Sequence, residues 1–115
     1  MKKIKFINHK IVGKLVEPTD KGYMLLSYFL GDRPYSDDVQ RIVDELTIVK
    51  SGKQTFEEVF EKYATITIGY NSGEFECDKD KAYFISNNEK AQASFDMPLQ
   101  ELIDLLNEWK TFLES

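Results

Sequence analysis

The chain has 115 residues, 42% of them apolar and 13% aromatic, and carries a formal net charge of −5. That length suits one domain spanning residues 1–115, because two separate cores would each sit near the lower size limit for burying enough surface. The apolar content excludes a disordered chain, and the single cysteine, Cys77, excludes an intrachain disulfide and a thiolate zinc site, as suits a reducing cytosol.

The opening MKKIKFINHKIVGKL is basic, but Lys5, Asn8, His9, Lys10 and Lys14 interrupt its apolar residues, so it reads as neither signal peptide nor anchor. No later segment approaches the roughly 20 apolar residues of a membrane span, and a soluble cytoplasmic protein is expected. Charge is unevenly distributed. Lys2, Lys3, Lys5, Lys10 and Lys14 stand in the first 14 residues without an acid, whereas the remainder holds 10 basic residues against 20 acidic ones. A surface of that sign repels nucleic acid phosphate and attracts basic partners.

In chain order, Lys3–Asn8 and Lys10–Val16 read as strands, with Ile4 and Phe6 on one face. Glu17-Pro18-Thr19-Asp20-Lys21-Gly22 reads as a turn. Tyr23–Leu30, apolar almost throughout, reads as a strand covered on both faces. From Ser36, the expected N-cap, the period changes: Val39, Ile42, Val43 and Leu46 make one apolar helix face, Asp37 and Asp38 lie in the first turn, and Gly52 ends the helix. Thr55 and Glu58 form a capping box for a short helix with Phe56, Val59, Phe60 and Tyr63 on one side.

A run of β character follows. Ile66, Ile68 and Tyr70 alternate with threonines; Asn71-Ser72-Gly73 is a hairpin connection in which Gly73 supplies the left-handed position; Phe75 and Cys77 then alternate with Glu74, Glu76 and Asp78. Further strands are expected at Ala82–Ser86 and Ala93–Met97. Pro98 suits the first helical position of a closing amphipathic helix, whose core face carries Leu99, Leu102, Ile103, Leu106, Trp109 and Leu113. The fold class is α+β: a largely antiparallel meander packed by the C-terminal helix and one or two inserted helices.

Nothing in this pattern assembles a catalytic or metal site, and no cofactor is implied. His9, the only histidine, lacks a nucleophile or an orienting acid in the sequence pattern. Cys77 shares strand parity with Phe75 and reads as a buried structural thiol. The acids form two clusters, Glu74, Glu76, Asp78 and Asp80 on a strand and its turn, and Asp37, Asp38, Asp44 and Glu45 on the first long helix. Outward carboxylates on an alternating strand make a solvated or partner-binding face, and Tyr70 beside them is a candidate interface anchor.

The closing stretch S-F-D-M-P-L-Q-E-L-I-D-L-L-N-E-W-K-T-F-L, residues 94–113, resembles the ending of small bacterial immunity proteins, those of contact-dependent growth inhibition systems in particular. The short acidic chain, meandering sheet and closing helix resemble their general plan. The resemblance implies a protein that binds and neutralises a cognate toxin domain, often a nuclease, by covering its basic active site. The expected partner is therefore a basic protein, with Glu74, Glu76, Asp78, Asp80, Tyr70, Asp37, Asp38, Asp44 and Glu45 as its contacts. The first alternative is a small nucleic-acid-binding module that uses Lys2, Lys3, Lys5, Lys10 and Lys14, and the last is an enzyme with an unfamiliar carboxylate site.

Overall fold

The computed structural model describes residues 2–60 and 65–115. Strands β1 (Ile4–His9) and β2 (Gly13–Pro18) form an antiparallel hairpin that runs from Ile4 opposite Pro18 to His9 opposite Gly13. The second strand thus starts three residues later than its pattern suggests. Glu17 and Pro18 belong to it rather than to the turn, because Pro18 at the strand's end needs no donor N–H. A 3-10 turn, Lys21–Tyr23, follows, with the Asp20 carboxylate accepting the Gly22 N–H at 2.7 Å.

The expected strand at Tyr23–Leu30 is in fact helix α1 (Met24–Gly31). Leu25, Leu26, Phe29 and Leu30 are all fully buried, so the helix is enclosed on most sides and shows no amphipathic stripe. A short apolar run of this kind has no period that separates helix from strand. Ser27, the one small polar residue inside it, satisfies its hydroxyl on the Met24 carbonyl at 2.8 Å.

Helix α2 (Ser36–Ser51) buries Val39, Ile42, Val43, Leu46 and Val49, and ends at Gly52 with φ 79°. Its N-cap is Tyr35 rather than Ser36, which lies one residue inside the helix. In α3 (Phe56–Val59) both halves of the capping box form: Glu58 N–H donates to Thr55 Oγ1 at 3.2 Å, and Thr55 N–H to Glu58 Oε1 at 2.9 Å. Tyr63, expected on the same face, lies outside the described residues.

The second sheet is an antiparallel meander of β3 (Ile66–Ile68), β4 (Gly73–Cys77), β5 (Lys81–Ser86) and β6 (Phe95–Pro98), in that order. Pro98 precedes helix α4 (Leu99–Glu114) as its extended N-cap, with ψ 135°, instead of entering the helix. The Leu99 N–H donates to the Asp80 carbonyl at 2.9 Å, which ties the start of α4 to the β4–β5 turn. Trp109 of α4 is buried and donates its indole N–H to the Arg33 carbonyl at 2.9 Å, joining the helix to the α1–α2 connection. At the centre, Phe29 of α1 meets Phe75 of β4 at 4.6 Å and Phe84 of β5 at 5.6 Å between ring centroids, and Phe56 of α3 closes on Phe75 at 6.0 Å.

The β3–β4 connection departs from expectation. Gly69 and Asn71 hold the left-handed conformations, both with φ 61°, and Tyr70 sits between them in the turn rather than on the strand. Gly73 is glycine for a different reason. A Cβ there would lie 2.6 Å from the Ile85 carbonyl oxygen and 3.0 Å from the Leu25 methyl groups. The Leu25 methyls could yield, but the backbone of β5 could not without loss of its pairing. Gly73→Ala is therefore expected to destabilise the domain by about 1–3 kcal/mol, the range for overpacking, as measured by urea unfolding. Gly31→Ala, where a Cβ meets nothing within 4 Å, is the control and should leave the midpoint close to the parent.

Candidate functional site

The site follows from strand parity. Along β4, Gly73, Phe75 and Cys77 are buried while Glu74 and Glu76 point away from the core. Pairing places Glu74 between Thr67 and Ile85, and places Tyr83 between Glu76 and Asp96. The outer face of the meander is thus a row of Glu76, Tyr83 and Asp96 alongside Glu74 and Ile85, and Ile85 is 42% exposed. Tyr83, Ile85 and Asp96 are additions that the sequence pattern alone did not single out. Their parity is readable within each strand, but only the register puts them beside the glutamates.

The individual acids differ in how they are held. Glu74 accepts a hydrogen bond from the Thr65 hydroxyl. Asp78 organises its own turn: Oδ1 accepts the N–H groups of Asp80 and Lys81, both at 2.8 Å, and Oδ2 accepts the Tyr83 hydroxyl at 3.0 Å. The Lys81 amide, then the Asp80 amide, hold the Asp78 carboxyl below the ordinary aspartate value of 3.8. The hydrogen bond to Asp78 pushes the Tyr83 hydroxyl up. Asp80 is exposed and contributes its carbonyl to α4, while Asp96 lies 3.6 Å from the Lys81 ammonium in an exposed pair.

The helix cluster reaches only the β3 edge of this face. Asp37 and Asp44 are exposed on α2, and Asp44 accepts from the Gln40 amide at 2.8 Å. Asp38 and Glu45 line a cleft of about 490 Å³ with Asp32, Arg33 and Arg41, where acids and guanidinium groups offset one another. Burial pushes the Glu45 carboxyl up and the Arg33 guanidinium down. Arg33 is further occupied by the Phe29 carbonyl at 2.7 Å, and its guanidinium carbon lies 4.2 Å from the centre of the Phe29 ring. Helix α2 packs against α4 and α3, and the cleft beside Asp38 and Glu45 is bordered on its other side by Thr65, Ile66 and Thr67, of which Thr67 lies opposite Glu74.

The basic segment is largely used within the fold. Lys2 pairs with Glu108, and Lys3 with Glu101 at 2.7 Å. Lys14 donates to the carbonyls of Leu113 at 3.0 Å and Ser115 at 2.5 Å, satisfying the last turn of α4. Lys5 and Lys10 remain exposed. His9 works as a turn residue, its Nδ1 accepting the amides of Ile11 at 3.1 Å and Val12 at 3.3 Å. The Cys77 thiol is buried and pushed up to about 12, first by desolvation and then by Asp78, Glu57 and Glu76. Among the described residues no three His, Cys, Asp or Glu side chains are placed to hold a metal ion, and no helix is long and apolar enough to cross a membrane.

No protein-family model, curated protein or solved structure matches the chain.

Two measurements check this account. An NMR titration should place the Asp78 midpoint below 3.8. Because the folded value is depressed, the stabilisation from Asp78 is complete above the unfolded value and is lost as pH falls through the folded one. A midpoint at or above 3.8 would remove the turn bonds from the account. Thiol labelling at pH 8 should be slow in native buffer and fast in urea, since a rise from 9.0 to about 12 leaves roughly a thousandfold less thiolate.

Proposed function

We propose that this protein is a stoichiometric inhibitor that binds a basic protein through the outer face of its four-stranded sheet. The observation that carries the reading is the row Glu76–Tyr83–Asp96, flanked by Glu74 and Ile85, on a sheet face that turns away from the core. Carboxylates around a tyrosine and an isoleucine combine long-range attraction for a cationic surface with apolar area to bury once contact is made. The resemblance of residues 94–113 to immunity proteins supplies the kind of partner: a cognate toxin domain of bacterial origin, a nuclease whose phosphate-holding cleft is basic. In that reading the carboxylates stand where phosphates would, and the complex forms in the cytoplasm. The nucleic-acid alternative is disfavoured, because three of its five lysines are bound to α4.

The test uses the catalytically inactivated domain encoded by the gene immediately upstream. The unsubstituted chain should bind it in equal proportion, and Glu76→Lys with Asp96→Lys should slow association by at least about tenfold at low salt. The difference should shrink as salt is raised. Asp78 is a poor probe, because its carboxylate holds the β4–β5 turn. An unchanged association rate would remove the sheet face from the proposal, and no binding would remove the inhibitor reading.

A further inference from the structure

The turn between β3 and β4 is held more firmly than a hairpin connection requires. Asn71 takes a left-handed conformation that side chains rarely adopt, and it does so two residues after a left-handed glycine. The backbone is fastened on several sides. Gly69 N–H donates to Asp32 Oδ2 at 2.8 Å, and Ser72 N–H donates to the Ile68 carbonyl at 3.0 Å. The Asn87 side chain donates to the Asn71 carbonyl at 2.9 Å. The Ser72 carbonyl accepts from the Asn87 amide at 3.0 Å and the Gln92 side chain at 2.8 Å. What this frame presents is Tyr70, whose side chain is fully exposed.

Beside Tyr70 opens a cleft of about 460 Å³ between β2, the end of α1 and the turn, with Tyr28, Asp32 and Pro34 on its wall. Lys14 also reaches it, but that ammonium is taken up by the Leu113 and Ser115 carbonyls and lies 5.6 Å from the centre of the Phe112 ring. Asp32 has no ion pair within 4.0 Å among the described residues; its charge acts on the neighbouring Arg33, and of its two oxygens only Oδ2 is given to Gly69. An exposed tyrosine ring and a carboxylate that border one cleft suit a planar cation. A guanidinium group stacks on the ring while its N–H groups reach the carboxylate, a combination that an ammonium group cannot copy.

We propose that Tyr70 and Asp32 form a receptor for an arginine side chain projecting from the basic protein partner. The proposal rests on the inhibitor reading and adds a second contact, apart from the outer sheet face. Since the backbone of the turn is fastened before binding, seating the arginine has to order the Tyr70 side chain but not the turn that carries it.

The experiment measures affinity for the same inactivated upstream-encoded domain. Tyr70→Ala should weaken binding by about 30-fold, the level of an interface hot spot, with the thermal midpoint unchanged. Tyr70→Phe, which keeps the ring, should bind like the parent. Asp32→Asn, which keeps an acceptor for the Gly69 amide but removes the charge, should also weaken binding, and less than additively with Tyr70→Ala because both hold one side chain. Loss in Glu76→Lys with no loss in Tyr70→Ala or Asp32→Asn would overturn the receptor and leave the inhibitor reading standing. Additive losses would overturn the shared arginine. No binding by the unsubstituted chain would overturn both proposals.

Discussion

The contact of Phe29 with Phe75 and Phe84 decides more of this molecule than any other. Its rings meet at 4.6 Å and 5.6 Å, and it joins the largely buried helix α1 to the two central strands of the meander. Side chains in a strand alternate, so fixing Phe75 inward fixes Glu74 and Glu76 outward with no further choice. The same holds for Phe84, which turns Tyr83 and Ile85 out. The chemistry of the outer face is therefore a consequence of the core: a slip of one residue in β4 would bury two carboxylates and expose a phenylalanine.

That dependence explains which features were legible in the sequence. The outward acids of β4, the capping box at Thr55, the closing helix and the Gly52 stop are local, each set by alternation, helical period or a cap, and the structure agrees with them. Helix α1 was not legible, because burial on most sides erases the polar stripe from which a helix is recognised. The role of Gly73 was hidden as well, since it depends on the distance to the Ile85 carbonyl across the sheet. Only pairing brings Tyr83, Ile85 and Asp96 alongside Glu74 and Glu76. The two acid clusters look alike in sequence, yet the sheet cluster stands on an open face while part of the helix cluster shares a cleft with Arg33 and Arg41.

The charge asymmetry of the chain changes meaning on folding. As a sequence, the first 14 residues form a cationic arm on an acidic body. In three dimensions the hairpin packs on α4: Lys2 and Lys3, just before β1, meet the acids of its polar side, and Lys14 of β2 meets the carbonyls of its last turn. Exposed pairs of this kind contribute little energy individually, and a two-stranded hairpin is marginal by itself. Their combined effect is positional, since Phe6 is set 5.4 Å from both Trp109 and Phe112 between ring centroids, and this packing fixes the hairpin on the helix.

The same pairing bears on the charge that the meander carries. Positive charge that is spent on α4 cannot offset the carboxylates of the meander, which lies on other strands and has Lys81 as the cation set against Asp96. Glu74 has a threonine hydroxyl as its hydrogen-bond partner, and Asp78 has a tyrosine hydroxyl and two backbone amides, none of which cancels a charge. A chain with a net charge of only −5 can in this way hold a concentrated negative face. The placement of these carboxylates on one face thus follows from where the core puts Phe75 and Phe84.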